Sequence, residues 1–127
     1  MTTSEVASRL VSLCKDRKNF DAMKELYADD IVSVEAAARD GSFDTSGKAA
    51  VIKKSEEWAA AHEIHGSNIE GPFLANDKFS VVFDFEVTPK ATGKRVTLRE
   101  IAVYTVRNGK IDREEFFYRG GDTDLGR

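Results

Sequence analysis

Apolar and polar positions alternate most regularly near the C-terminal end of the chain, in residues 94–118. Two strand-like runs meet there at Asn108-Gly109, a dipeptide that favours a tight β-hairpin turn because both residues adopt positive φ readily. Both runs are longer than most strands. Strands of this length must curve, so the pattern predicts a bent sheet whose concave side is filled by the rest of the chain.

Two short helices are predicted at the N-terminus. The first begins with Thr2 and Glu5, which fit a capping box, and its apolar face extends to Cys14. Asn19 is a suitable cap for the second helix, because its side-chain oxygen can accept a hydrogen bond from the first turn. The second helix is predicted to end at Asp29.

A third helix is predicted over residues 47–61, capped by Thr45 or Ser46, after a polar loop over 39–46. Trp58 lies on its apolar face. The other segments predict strands at residues 31–36, 64–74 and 79–88, together with the two runs of the hairpin. Helices segregated from an antiparallel sheet indicate an α+β fold. We expect a single domain over 1–127, with 120–127 as a flexible tail.

Composition and charge limit the possible functions. Apolar residues make up 41% of the chain and charged residues 32%, which is typical of a soluble globular domain. The net charge of −3 argues against nucleic-acid binding, which normally requires a basic surface. Neither a signal peptide nor a membrane span is expected. The single cysteine, Cys14, rules out an internal disulfide, and we expect a cytoplasmic protein.

The element order and three local strings resemble the nuclear-transport-factor-2-like (NTF2-like) superfamily, which includes SnoaL-like polyketide cyclases and ketosteroid isomerases. The strings are LYADD at residues 26–30, Gly71-Pro72 and Gly109–Ile111. The resemblance implies an NTF2-like cone, with three N-terminal helices packed on a strongly curved, mainly antiparallel sheet. It further implies a deep pocket for a small apolar ligand and a homodimer formed through the outer face of the sheet.

Comparison with the ketosteroid isomerases suggests a catalytic base. In that family the base lies five residues beyond the last aspartate of the LYADD-like string, and here that position is Glu35. The two oxyanion donors of the family fall on Val11 and Ala102, which have no hydrogen to donate. The resemblance therefore retains a carboxylate base without its partners, which argues against a steroid-isomerase mechanism of that kind.

The same comparison predicts which side of each strand faces inward. Alternation from Ala102 places Leu98, Glu100, Tyr104 and Val106 inside on one run of the hairpin, and Glu114, Phe116 and Tyr118 inside on the other. Phe83 and Phe85 are predicted to face inward on the preceding strand. Ile101 and Phe117 then face outward, where apolar side chains suit a partner sheet better than solvent.

Three inward glutamates, Glu35, Glu100 and Glu114, form the predicted catalytic set. Carboxyl groups that share an apolar cavity cannot all stay ionised, so one is expected to hold a proton. Glu35 is predicted as the base and Glu100 as the acid in proton transfer next to a carbonyl. The predicted substrate-binding residues are Val11, Trp58, Phe83, Phe85, Ala102, Tyr104, Phe116 and Tyr118.

Two alternatives to catalysis of this kind stay open. The chain can be a ligand-binding or dimeric scaffold module, with the glutamates as rim residues paired with basic side chains. Epoxide hydrolysis, found on the same fold, would need an inward arginine, and both Arg99 and Arg113 are predicted to face outward. His62 and His65 give no metal-ligand spacing, so neither a metal nor another cofactor is expected.

Overall fold

The computed structural model describes residues 1–39 and 42–118, and side chains within these ranges except those of 37–39 and 42. The helices are α1 (Thr3–Lys15), α2 (Asn19–Leu26) and α3 (Lys48–Ala61). The strands are β1 (Tyr27–Arg39), β2 (Ser42–Ser46), β3 (His62–Ala75), β4 (Lys78–Pro89), β5 (Val96–Arg107) and β6 (Lys110–Phe117). The tail predicted over 120–127 lies outside the described residues.

The described strands form one sheet in the order β2-β1-β6-β5-β4-β3. Strands β1 and β6 pair in parallel, and the other described neighbours pair antiparallel. The α+β class and the mainly antiparallel sheet are therefore confirmed. Helix α1 packs against α2 and β3, while α3 packs against β1. The apolar core packs between the helices and the concave side of the sheet.

The predicted position of the helices is partly wrong. Two helices precede the sheet, but α3 follows β1 and β2 in the chain. The loop predicted over 39–46 also contains a strand, because β2 pairs with the edge of β1 from Val32↔Ser46 to Val34↔Asp44. Backbone pairing with an available edge overrides the weak β-propensity of a polar segment.

The capping predictions had mixed outcomes. The box at the start of α1 is confirmed, with hydrogen bonds in both directions between Thr2 and Glu5. Asn19 lies inside the first turn of α2 and does not cap it. The cap of α3 is Gly47, whose φ of 93° disfavours residues with a Cβ. The Gly47 amide donates to the Ile31 carbonyl at 2.8 Å and so ties the start of α3 to β1.

The hairpin and its register agree with the predicted pattern. Asn108 and Gly109 both have positive φ, at 52° and 75°. On β5 the predicted inward positions are buried, whereas Ile101 is 43% exposed on the outer face. Phe117, its cross-strand partner on β6, is 54% exposed. The register of edge strand β3 shifts between Glu70 and Phe73, where Gly71-Pro72 interrupts the ladder.

Candidate active site

A cavity of about 600 Å³ lies between the helices and the concave face of the sheet. Aromatic and aliphatic side chains from α1, α2 and β4 make most of its wall, including Leu10, Phe20, Met23, Phe83 and Phe85. Polar groups reach the wall from β1, α3 and β5 and from Tyr118 beyond β6. The cavity is therefore an apolar chamber with a localised polar wall, an arrangement typical of small-molecule sites.

Eight of the eleven predicted site residues line this cavity. They are Glu35, Trp58, Phe83, Phe85, Glu100, Tyr104, Phe116 and Tyr118. Val11, Ala102 and Glu114 are buried but do not belong to the wall. The Ala102 side chain is fully buried between its cross-strand partners Val81 and Phe116. Val11 lies in the same apolar cluster, so both positions contribute to packing instead of to the wall.

The basic partner of Glu35 is Lys54 on α3, which the sequence pattern did not predict. The Lys54 Nζ atom lies 3.2 Å from Glu35 Oε1 and donates to Ser33 Oγ at 2.7 Å. The two charged side chains are only 9% and 11% exposed. Lys54 lies three residues after Val51 and four before Trp58, so it occupies the apolar face of α3. A lysine within an apolar stripe was the available signal.

The other oxygen of Glu35 is held by a tyrosine from the end of the described chain. Tyr118 donates its hydroxyl hydrogen to Glu35 Oε2 at 2.8 Å. The carboxylate is therefore fixed between an ammonium group on one oxygen and a phenol on the other. Since all three side chains line the cavity, they form a polar wall that is oriented before any ligand enters.

Glu114 lies behind this wall. Its carboxyl accepts hydrogen bonds from the Tyr27 hydroxyl and from Ser33. Burial raises the pKa of Glu114 above its ordinary value, although these hydrogen bonds and the nearby Lys54 charge act in the opposite direction. A connected network thus runs from Lys54 through Ser33 to Glu114 and Tyr27. Glu114 therefore supports the wall from the core side and does not contact the cavity.

Tyr104 offers a neutral hydroxyl group to the cavity. It lies beside Glu114 on the neighbouring strand and stacks on Phe79 with ring centroids 4.9 Å apart. Burial, and secondarily the nearby Glu114 carboxyl, raises the pKa of Tyr104 well above its ordinary value. Its phenol therefore stays protonated and serves as a donor. Glu100 lies four residues before Tyr104 on the same face of β5, lines the same wall and is 7% exposed.

Arg17, Arg99 and Arg113, among the described basic residues, lie at the rim of the cavity or outside it. Arg99 faces outward and binds Asp84 at 2.8 Å, and Arg113 faces outward beside Glu115, as predicted. Arg17, in the turn between α1 and α2, does contribute to the lining but is solvent-exposed. The expectation of no inward arginine therefore holds for the two strand positions and needs correction for this turn.

Two further side chains on the wall, Cys14 and His62, were not predicted as site residues. Burial raises the pKa of the Cys14 thiol to about 12, so it packs as an inert apolar group. His62, considered above only as a metal ligand, is 7% exposed and lines the cavity. Within the described ranges, no cluster of histidine, cysteine and carboxylate side chains could hold a metal ion. No helix in the described part of the chain is long and apolar enough to cross a bilayer.

Solved structures resemble the whole chain. A Mesorhizobium loti protein provisionally named a SnoaL-like polyketide cyclase [carbohydrate phosphatase] is 45% identical, with a TM-score of 0.89 over 93% of this chain and 100% of its own. An NTF2-like protein from Burkholderia thailandensis is 20% identical, with a TM-score of 0.78 over 92% and 90%.

A Bacillus subtilis protein provisionally named an isomerase is 18% identical, with a TM-score of 0.75 over 94% of this chain and 90% of its own. No curated protein matches the chain. A family model described as the SnoaL-like domain matches residues 1–118. The chain therefore belongs to the SnoaL-like domain family, on the NTF2-like fold.

Proposed function

We propose that this protein is a cofactor-independent acid–base enzyme that moves a proton on an apolar carbonyl compound. The observation that carries the proposal is the Glu35–Lys54 pair, a base and a cation 3.2 Å apart on the wall of an apolar cavity. Proton transfer next to a carbonyl needs a base for the carbon acid and a positive group for the oxygen on which charge develops.

The proposed step uses groups that the chain itself supplies. The Glu35 carboxylate takes a proton from the carbon next to the carbonyl, the electron pair of that C–H bond forms a C=C bond, and the π electrons of the carbonyl move to its oxygen. The resulting enolate oxygen accepts hydrogen bonds from the Lys54 ammonium group and the Tyr104 hydroxyl. Return of the same proton to a different carbon completes an isomerisation, whereas attack of the enolate carbon on a second carbonyl of the substrate, whose oxygen takes the proton back from Glu35, gives an aldol cyclisation.

Glu100 is the second carboxyl group of the proposed site. It lines the cavity four residues before Tyr104 on the inward face of β5. In its protonated form it can donate to a substrate oxygen while Glu35 is ionised, which separates the acid and base roles. The provisional name of the 45% identical relative, a SnoaL-like polyketide cyclase [carbohydrate phosphatase], includes a reaction class that supports the proposal.

Proton abstraction can be measured without knowing the natural substrate. We expect the enzyme to accelerate exchange of the α-hydrogens of 2-tetralone, an apolar enolisable ketone, in D₂O, followed by NMR. Glu35→Gln removes the base and should slow this exchange by about 10²–10⁴-fold. Glu86→Gln, an exposed carboxylate on β4 bound to Arg95, is the matched control and should exchange at the wild-type rate. Equal rates for wild type and Glu35→Gln would overturn the proposal.

A second candidate is a ligand-binding module without chemistry. It is favoured by the hydrogen bond and ion pair that already hold both Glu35 oxygens. In this case Glu35→Gln binds ketones as tightly as wild type, and neither protein exchanges their α-hydrogens faster than buffer. Binding without exchange therefore identifies the module.

We further propose that the outer face of the sheet pairs with a second copy of the chain. Ile101 and Phe117 are cross-strand neighbours there, 43% and 54% exposed. Adjacent exposed apolar side chains on a curved sheet favour an interface.

A further inference from the structure

Lys54 is attached to β1 at two points, and only one of them changes during the proposed reaction. Its Nζ atom donates to Ser33 Oγ at 2.7 Å and lies 3.2 Å from Glu35 Oε1. Ser33 and Glu35 are two positions apart on the strand, so their side chains lie on the same face of β1. An ammonium group has three hydrogens, so a third remains for a ligand oxygen after these two contacts.

The direction of the hydrogen bonds at Ser33 follows from its single hydrogen. The Ser33 oxygen accepts from Lys54, which leaves the hydroxyl hydrogen to be donated elsewhere. It is donated to the carboxyl of Glu114, the cross-strand partner of Ser33 on β6. The order of donation therefore runs from Lys54 to Ser33 and from Ser33 to Glu114.

This second attachment of Lys54 lies behind the cavity wall. Ser33 is 0% exposed and Glu114 is 1% exposed, and neither side chain lines the cavity. A carboxyl group has an oxygen that can accept a hydrogen bond whether it is ionised or protonated. A ligand can thus contact Lys54 and Glu35, whereas the attachment through Ser33 is the same whatever occupies the cavity.

The proposed proton transfer weakens the other attachment at the moment when Lys54 is needed. Once Glu35 has taken the proton from the substrate carbon, it is neutral and no longer attracts the ammonium group as an ion. The enolate oxygen carries the negative charge at that stage, and a cation stabilises it only if it is already in place. The hydrogen bond from Lys54 to Ser33 does not depend on the charge of Glu35.

We infer that Ser33 is a positioning residue, which holds Lys54 beside the enolate oxygen while Glu35 carries the substrate's proton. Glu114 takes part by accepting the Ser33 hydrogen, which leaves the Ser33 oxygen facing Lys54. Neither residue touches the substrate. This inference deepens the proposed function and rests on it.

The variant Glu35→Gln reproduces the uncharged state of Glu35 and allows a test that needs no activity. The probe is the ¹H–¹⁵N resonance of the Lys54 ammonium group, assigned by its loss in Lys54→Met. Ammonium hydrogens that are buried and bonded exchange slowly with water, so the resonance should be visible in wild type. It should persist in Glu35→Gln, because Ser33 still holds the group, and disappear in the double variant of Glu35→Gln with Ser33→Ala.

Three outcomes of the NMR test would overturn the inference. The resonance can be absent from wild type, it can be lost in Glu35→Gln alone, or it can persist in the double variant. The first two outcomes do not depend on whether Ser33→Ala folds. Ser46→Ala, an exposed serine on β2 opposite Val32, is the matched control and should leave the resonance unchanged.

Exchange of the α-hydrogens of 2-tetralone gives a second, kinetic test. Ser33→Ala should lower the rate at saturating ketone by about 10-fold to 100-fold, with KM nearly unchanged, because Glu35 is ionised and still holds Lys54 before the proton moves. If Ser33 acts through Lys54, adding Ser33→Ala to Lys54→Met should slow the exchange no further. A rise in KM without a fall in the maximal rate, or multiplicative losses in the double variant, would overturn the inference.

These outcomes are separate from the fate of the proposed reaction. A Lys54 resonance that depends on Ser33, in a protein that exchanges no α-hydrogens, leaves the positioning of Lys54 intact and removes the catalysis. Exchange that depends on Glu35 but is unaffected by Ser33→Ala does the reverse.

Discussion

At the scale of single residues, the site is organised by a lysine and a glutamate that are paired and largely shielded from water. Charges this buried are tolerated only when paired and hydrogen-bonded. Glu35 is held by Lys54 and Tyr118, and Lys54 also donates to Ser33. These contacts therefore fix the geometry of the base and its neighbouring cation together.

Removing one member of the pair should cost more stability than removing both. Lys54→Met leaves the Glu35 carboxylate buried without its cation, and we expect the free energy of unfolding to fall by about 3 kcal/mol. In the double variant with Glu35→Gln, part of this loss should be recovered. Urea denaturation of the two single variants and the double variant measures the coupling. Strictly additive losses would mean that the ion pair makes no net contribution.

Glu114 should make stability depend on pH. Burial raises the pKa of Glu114 in the folded protein above 4.5, its ordinary value, so the folded state retains a proton that the unfolded chain releases first. The contribution is complete below 4.5 and is lost as the pH rises toward the raised pKa. Glu114→Gln cannot ionise, so its stability relative to wild type should increase as the pH rises from about 4 to 8.

Urea denaturation at several pH values measures this trend. The control is Glu115→Gln, the next residue of β6, which is paired with Arg113 at 3.1 Å on the outer side. Its stability relative to wild type should change little over the same pH range. A flat profile for Glu114→Gln would show that the Glu114 carboxyl is ionised in the folded protein at no cost.

Particular residues also show how much of the candidate site could be predicted from the sequence. Glu35 was predicted through a family resemblance, and Glu100, Tyr104 and Tyr118 through strand parity, because alternation transfers one inward position to a whole strand. Lys54 was missed because lysines are mostly exposed, so they are not normally assigned to the buried face of a helix. The four-residue spacing places His62 on the same helix face as Trp58, but the stacking of its ring on the indole depends on side-chain packing that periodicity does not describe.

At the scale of elements, turn and cap chemistry decides where the strands and helices begin. The hairpin was predictable because its two-residue turn requires positive φ at both positions, and Asn108-Gly109 is one of the few dipeptides that adopt it readily. Strand β2 was not, because its residues have little intrinsic β-preference and are ordered by pairing with β1. Local chemistry thus predicted the elements that it controls and missed the one that tertiary pairing creates.

Two glycines with similar backbone conformations should respond differently to alanine. Gly93 has a φ of 67° with no atom within 4 Å of an added Cβ, so Gly93→Ala should cost about 1 kcal/mol from backbone strain alone. Gly109 has a φ of 75°, and its added Cβ would lie 2.9 Å from the Met1 nitrogen. Gly109→Ala should therefore lower the melting temperature further than Gly93→Ala. Equal losses would show that the N-terminus moves aside freely.

At the scale of the whole molecule, the outer sheet face should control assembly. If Ile101 and Phe117 contact a second copy, Phe117→Glu places a charge in that interface and should convert a dimer to a monomer in sedimentation velocity. Leu74→Glu is the matched control, because Leu74 is 53% exposed on β3, an edge strand separated from β6 by β5 and β4. A wild-type protein that sediments as a monomer would contradict the proposed pairing.

The parallel pairing of β1 with β6 also affects when the protein becomes competent during its synthesis. Glu35 and Tyr118 are 83 positions apart in the chain, yet their side chains share a hydrogen bond. The ribosome must synthesise the chain at least as far as Tyr118 before the Glu35 carboxylate can meet this phenol. Chains truncated ahead of that tyrosine lack the hydroxyl group that holds Glu35 Oε2, so the polar wall should be incomplete in them.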